Sequence, residues 1–219
     1  MRKIVVHMQS TLDNRIANAQ GTFWEPFPWG ETEVAYLNQF FRAADTLAQS
    51  RVMYDVVVPW WDGVATGQLP ADAPQITPTF ADFAQLQHRM TKVVFSNTME
   101  PADGRVVLRG DLAGQLTKLK QQDGADIILA CGPATLGPLA STPGLVDEYL
   151  IAVHPRGGCR SKALLVSPGL RRRWWSQTTR GQSSVQLRTA RRRTHLLRGG
   201  RRGRAARAPT PGTSGLAGL

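Results

Sequence analysis

The sequence predicts a doubly wound α/β domain on a mostly parallel sheet, followed by an arginine-rich tail. Apolar runs of strand length occur at residues 4–8, 93–96, 105–108, 127–131 and 149–153, several without alternation, as strands covered on both faces require. Segments of helical period lie between them, and strand and helix in alternation build a parallel sheet flanked by helices. Charge divides the chain as well. Residues 1–155 hold 11 Lys and Arg against all 16 Asp and Glu, a net of −5, whereas residues 156–219 hold 16 basic groups and no acidic one. The expected organisation is one domain over 1–155, long enough for a single core, and a tail over 156–219.

The elements follow in order. Ile4 to Met8 is an apolar strand, and Val34, Leu37, Phe41 and Ala44 then recur at helical spacing. Thr46 to Gln49 is a short strand running into a helix that begins near Ser50 and Arg51. Phe80 to Met90 reads as a helix with Phe83 and Leu86 inward, ahead of the strands Val93 to Ser96 and Arg105 to Leu108. Asp111 is the N-cap of a helix carrying Leu112, Leu116 and Leu119. The strand Ile127 to Cys131 leads through Gly132 into a helix that buries Leu136 and Leu139, and Tyr149 to Val153 closes the series. Gly- and Pro-containing stretches near 21–30 and 66–79 are loops of the kind that cover ligand sites.

In an open parallel sheet, ligands collect beyond the carboxyl ends of the strands, where helix N-termini turn free N–H groups toward anions. Three such ends carry suggestive residues. Arg51 can meet a phosphate or pair with Asp55 one helical turn later. In "VVFSNTMEP", Ser96 and Asn97 can bond a ribose or phosphate, or simply close the strand in a local turn. In "DIILACGPATLGPLA", Gly132 permits close backbone approach, and the N–H groups of Ala134 and Thr135 would face a diphosphate. Many strand-to-helix turns bind nothing, so each signal alone leaves both readings open.

In this order, "RKIVVHMQSTLDNRIA", "ADTLAQSRVMYD", "KVVFSNTME" and "GPATLGPLASTPGLVDEYLIAVHP" resemble the dihydrofolate-reductase-like proteins. The resembling branch is the one containing the C-terminal reductase domain of bifunctional riboflavin-biosynthesis proteins, and the resemblance covers about residues 2–155. It implies a sheet of dihydrofolate-reductase-like type and an NADPH-dependent reductase of a small heterocycle, pterin-like or of the 5-amino-6-(5-phosphoribosylamino)uracil type. It further implies Arg51 near the 2′-phosphate of NADPH, Ser96 and Asn97 near its adenosine half, and Gly132, Pro133, Ala134, Thr135 and Leu136 around its diphosphate. Ile16 and Ala17 would flank the nicotinamide, and Asp13 would face the substrate as the one carboxylate with a catalytic role.

The chain departs from the family's pattern at three positions. Asn14 stands for a motif glycine, Ser50 for the glycine before Arg51, and Pro133 for the second glycine of the phosphate turn. Asn tolerates the left-handed backbone region better than most residues, whereas Pro133 removes one N–H donor from the cradle.

Trp24, Trp29, Trp60 and Trp61 are candidates to wall a substrate pocket or to anchor loops, and His7 and His88 read as structural or exposed. Cys131 and Cys159 lack metal-ligand spacing, so no metal is expected. The start "MRKIVVHMQSTLD" is a poor signal peptide and no run of 18 apolar residues exists, which points to a cytoplasmic protein without a membrane span. A homodimer is left open.

In the tail 15 of the 16 basic residues are Arg, while Asp, Glu, Ile, Met, Asn, Phe and Tyr are absent. A GC-rich gene read out of frame yields this composition, since CGN codons give Arg and GGN and CCN give Gly and Pro. The expectation is a frameshifted, disordered segment, with a genuine basic extension as the alternative, and the family's final strands missing or replaced; if they are missing, the sheet has an unpaired edge and activity is reduced or absent. Two rivals to an active reductase remain: a protein binding nucleic acid non-specifically through a basic tail, and an inactive cofactor-binding relic.

Overall fold

The computed structural model describes residues 1–22, 27, 30–71, 73–154 and 183–188, the last as backbone. Its elements run β1 (Ile4–Thr11), α1 (Glu31–Arg42), β2 (Ala44–Ser50), α2 (Arg51–Thr66), α3 (Pro78–His88), β3 (Thr91–Phe95), β4 (Arg105–Leu108), α4 (Leu112–Gln121), β5 (Asp126–Ala130), α5 (Pro133–Ser141), β6 (Glu148–His154) and β7 (Ser183–Arg188). They form one seven-stranded sheet in the order β4-β3-β2-β5-β1-β6-β7. β1 to β6 are parallel and β7 pairs antiparallel with β6.

Local chemistry sets the helix starts. Asp111 Oδ1 accepts from Gly114 N at 2.9 Å, capping α4 as its sequence position predicts. Ser50 caps α2 and Thr77 caps α3, where Pro78 supplies a first residue with no N–H to lose. Gly67 ends α2 at φ +71°, a left-handed cap that favours glycine.

The unalternating strands are buried on both faces. Ile4, Val6 and Met8 of β1 pack with Leu116 of α4 and Leu136 and Leu139 of α5. Val5, Leu47, Ile128 and Leu150 pack on the other side with Val34, Leu37 and Phe41 of α1, Trp61 and Val64 of α2, and Phe83 and Leu86 of α3. Each such fully buried Leu or Phe contributes about 1.5–3 kcal/mol.

Two buried lysines close the frame. Lys92 Nζ donates to the carbonyls of Gln87, His88 and Met90 at the end of α3. Lys120 Nζ donates to the carbonyls of Gly144 and Leu145 and pairs with Asp147, whose carboxylate also accepts from Ile4 N.

Two expectations are corrected. Ala44 begins β2 rather than continuing α1, because the helix ends at the Ala43 cap. The edge beyond β6 is not bare: Ser183–Arg188, inside the arginine-rich tail, pairs with it from Val153↔Ser183 to Glu148↔Arg188. Val185 and Leu187 alternate there with polar residues, a period-two pattern too short to stand out among the arginines. The expected disorder of the rest of the tail falls on 155–182 and 189–219, outside the described residues.

Candidate functional site

The carboxyl ends of six parallel strands share one edge of the sheet. Because β3, β2, β5, β1 and β6 are neighbours in that order, the edge carries in a row Ser96 after β3, Ser50 and Arg51 at the β2–α2 junction, Gly132 after β5, the Thr11–Ala17 segment after β1, and His154 at the end of β6. Positions separated by more than a hundred residues in sequence thus become adjacent.

At the β2 end, Arg51 is the first residue of α2 and its Nε lies 2.5 Å from Asp55 Oδ2, so the local pair is present. Ser50, where the resemblance expects glycine, uses its hydroxyl to accept from Met53 N. At the β3 end, Ser96 Oγ accepts from Thr98 N at 3.2 Å and Met99 N at 3.0 Å, a turn closed by its own side chain, and Asn97 is exposed. Two guanidiniums not singled out from sequence border this corner. Arg109 Nη2 donates to Met99 O at 2.5 Å, and Arg105 lies over the Tyr54 ring at 5.6 Å while donating to Glu100 O. Nothing in their local sequence separates them from ordinary surface arginines.

At the β5 end, Gly132 is the N-cap of α5 with φ −69°, and a Cβ there would meet no atom within 4 Å. The glycine therefore keeps space open above the turn rather than enabling a left-handed conformation. Pro133 has no N–H, and the N–H groups of Thr135 and Leu136 donate to Gly132 O at 3.1 and 2.9 Å. Of the two donors expected to face a diphosphate, Thr135 is engaged within the turn, while Ala134 is exposed with no acceptor for its N–H among the described residues. The Leu136 side chain belongs to the core, 4 % exposed.

Beyond β1, Asn14, where the resemblance expects glycine, adopts φ +58°, a left-handed conformation that glycine enters freely. The tight turn is held by Thr11, whose N–H donates to Arg15 O and whose hydroxyl accepts from Arg15 N and donates to Asp13. The Asp13 carboxylate is exposed, with Arg15 Nε 3.9 Å away. Ile16 packs half-buried against the core and Ala17 is buried. His154, 2 % exposed, reaches Gln9 Oε1 with Nε2 at 3.0 Å and carries the Phe27 ring at 4.9 Å. The pairing of Gln9 with His154 links strand ends 145 residues apart and has no local signature.

Burial pushes the His7 imidazole down to about 4, its ring edge-on to Phe41 at 5.8 Å, so it stays neutral near pH 7. Burial likewise pushes the Cys131 thiol up to about 12, which keeps it protonated. His88 meets Asp62 at 2.9 Å on the surface. Of the tryptophans proposed to wall a pocket, Trp61 is in the core against Phe80 and Phe83, and Trp60 is exposed on α2. Trp24 and Trp29 lie outside the described residues. Among the described residues no helix is long and apolar enough to cross a membrane.

A family model described as the RibD C-terminal domain matches residues 2–180. The Bacillus subtilis (strain 168) protein YyaP, itself described as uncharacterized, is 28% identical over 159 residues, 70% of this chain and 75% of its own length. A riboflavin biosynthesis protein from Shewanella sp. PV-4 superposes with TM-score 0.58 at 19% identity, over 86% of this chain and 99% of that one. The Thermotoga maritima diaminohydroxyphosphoribosylaminopyrimidine deaminase/5-amino-6-(5-phosphoribosylamino)uracil reductase gives TM-score 0.59 at 12% identity, over 86% of this chain and 57% of that one. Enterococcus faecalis dihydrofolate reductase, in complex with NADP(H), gives 0.52 at 11%, over 84% and 94%. The sheet is thus of dihydrofolate-reductase-like type.

Proposed function

Because the chain belongs to the RibD C-terminal domain family, we propose that it is an NADPH-dependent reductase of a small heterocycle, of the 5-amino-6-(5-phosphoribosylamino)uracil reductase type, working in the cytoplasm. The observation that carries this reading is the row of strand ends, which sets Ser96, Arg51, the Gly132 turn and the Asp13–Ala17 segment side by side. The names of similar structures, a uracil reductase and an NADP(H)-bound dihydrofolate reductase, agree with it.

The residues present fit such a cofactor. An exposed Ala134 N–H at the start of α5, open space over Gly132 and a half-exposed guanidinium at the start of α2 suit a diphosphate and a 2′-phosphate. When bound, the cofactor supplies hydride. The protein's part is to orient the ligands. Arg51 would leave Asp55 for the 2′-phosphate, Ser96 and Asn97 would border the adenosine half, and the backbone from Gly132 to Leu136 would follow the diphosphate. Ile16 and Ala17 would form the apolar wall against the nicotinamide. Asp13, held by the Thr11 hydroxyl, would face the substrate.

Titration of the full chain with NADPH, followed by tryptophan fluorescence, tests the reading, with saturable binding expected. A folded protein that binds no NADPH overturns it. Binding without oxidation of NADPH by any uracil or pterin substrate would leave the relic. The nucleic-acid reading rests on the segregated charge of the tail, and affinity for duplex DNA that falls steeply with salt would favour it.

A further inference from the structure

The two faces of β1 differ in chemistry toward its carboxyl end. Ile4, Val6 and Met8 belong to the core under α4 and α5, and Val5 belongs to the core under α1. By alternation His7, Gln9 and Thr11 continue Val5's face, and His7 accordingly meets Phe41 of α1. On β6 the same face carries Leu150, Ala152 and His154, in register with His7, Gln9 and Thr11. This side of the sheet therefore turns from apolar to polar as it approaches the edge where the candidate site lies. The small Ala152 stands opposite Gln9.

Gln9 is half-buried and held by a firmly packed partner. His154 is almost fully enclosed, the Phe27 ring lies on it, and its Nε2 is 3.0 Å from Gln9 Oε1. With Oε1 accepting from His154, the carboxamide is turned so that its two N–H groups have no acceptor among the described residues. An oriented amide donor at a polar strand end suits a hydrogen-bond acceptor, such as the carbonyl oxygen of a ring-shaped ligand.

We propose that Gln9 is a ligand-binding, specificity-determining residue, oriented by His154, that donates to a carbonyl oxygen of a bound ring. This rests on the reductase reading, which supplies such oxygens from two ligands: the ring carbonyls of a uracil-type substrate and the carboxamide of the nicotinamide. His154 is a positioning residue, acting through Gln9.

The test uses the full chain titrated with NADPH and, separately, with 5-aminouracil in the presence of saturating NADP+. Gln9→Glu keeps an oxygen for His154 but has no N–H to give. It is expected to keep the parent's melting midpoint and to lose about tenfold or more in affinity for one probe. Loss confined to 5-aminouracil assigns the carbonyl to the substrate, and loss for NADPH assigns it to the cofactor. Gln9→Met, which lacks hydrogen-bonding groups, serves if the glutamate variant does not fold. His154→Phe should weaken the same probe and His154→Gln, which restores a donor, should recover most of it. Unchanged affinity for both probes in a folded Gln9 variant overturns the proposal alone, while a parent protein that binds neither probe overturns the reductase reading with it.

Discussion

Arg51 and Asp55 pair across one turn at the start of α2, Nε to Oδ2 at 2.5 Å, with both side chains nearly half exposed. An exposed i,i+4 pair contributes only about 0.3–0.5 kcal/mol, less than a guanidinium gains from a charged phosphate at short range. The pair is therefore weak enough for a ligand to displace. NADPH is expected to bind about tenfold or more tightly than NADH. Arg51→Ala should narrow that gap and Asp55→Asn should widen it, with melting midpoints almost unchanged. Equal Kd values for the two cofactors in the parent protein would show that Arg51 serves α2 alone.

The second expectation concerns acid. His7 has its pKa lowered from 6.5 to about 4 by burial, so the folded state resists a proton that the unfolded chain takes up below about pH 6.5. Stability should be flat above that pH, fall between about 6.5 and 4, and level off for this group below the folded value. The loss is at most about 3–4 kcal/mol at 1.36 kcal/mol per unit. Urea unfolding at pH 7.5 and 4.5 measures it, and His7→Leu should flatten the difference between the two.

Phe83 is the hinge of the aromatic packing between α1, α2 and the sheet, 1 % exposed with Phe41 at 4.8 Å and Trp61 at 5.0 Å. Phe83→Ala is expected to cost about 3–5 kcal/mol, read as a fall in melting midpoint with a shift of Trp61 emission toward the solvent-exposed value. A stable variant with unshifted fluorescence would mean that the three rings do not pack as one cluster.

Pairing of β7 with β6 leads to a fourth expectation. Ending the chain after residue 182 removes Ser183–Arg188 and leaves the backbone from Glu148 to Val153 without its antiparallel neighbour. Such an edge invites pairing between molecules. The shortened protein should melt at lower temperature and self-associate with rising concentration, both visible by light scattering during a thermal ramp. Identical behaviour of the two lengths would show that β7 adds nothing to the sheet.

Much of this architecture was legible because its causes are local. The apolar runs gave β1, β3 and β5, and Asp111 announced α4 through its own side chain, whose Oδ1 caps Gly114 N as expected. Ala44 misled because its spacing from Phe41 continues the helical pattern past the point where Ala43 ends it. Asn14 was readable as a left-handed position, and it sits at φ +58°. Gln9 was not readable as a site residue, since its partner His154 is brought to it only by the parallel register of β1 and β6. The engagement of the Thr135 N–H by Gly132 O escaped prediction for a different reason: the motif names residues, and the turn's internal bonding depends on its dihedral angles.

β1 lies between β5 and β6, with Ile4 beside Ile127 and Val5 beside Glu148. On a ribosome adding about 5–20 residues per second, the first strand therefore emerges on the order of ten seconds before either neighbour exists. Through that interval "IVVHM" is an apolar segment with both backbone edges unpaired. The nascent chain cannot fold from its N-terminus onward. β1 gains its first sheet partner only with β5 and its second only with β6, so strand order alone places the closing of its two edges late in synthesis.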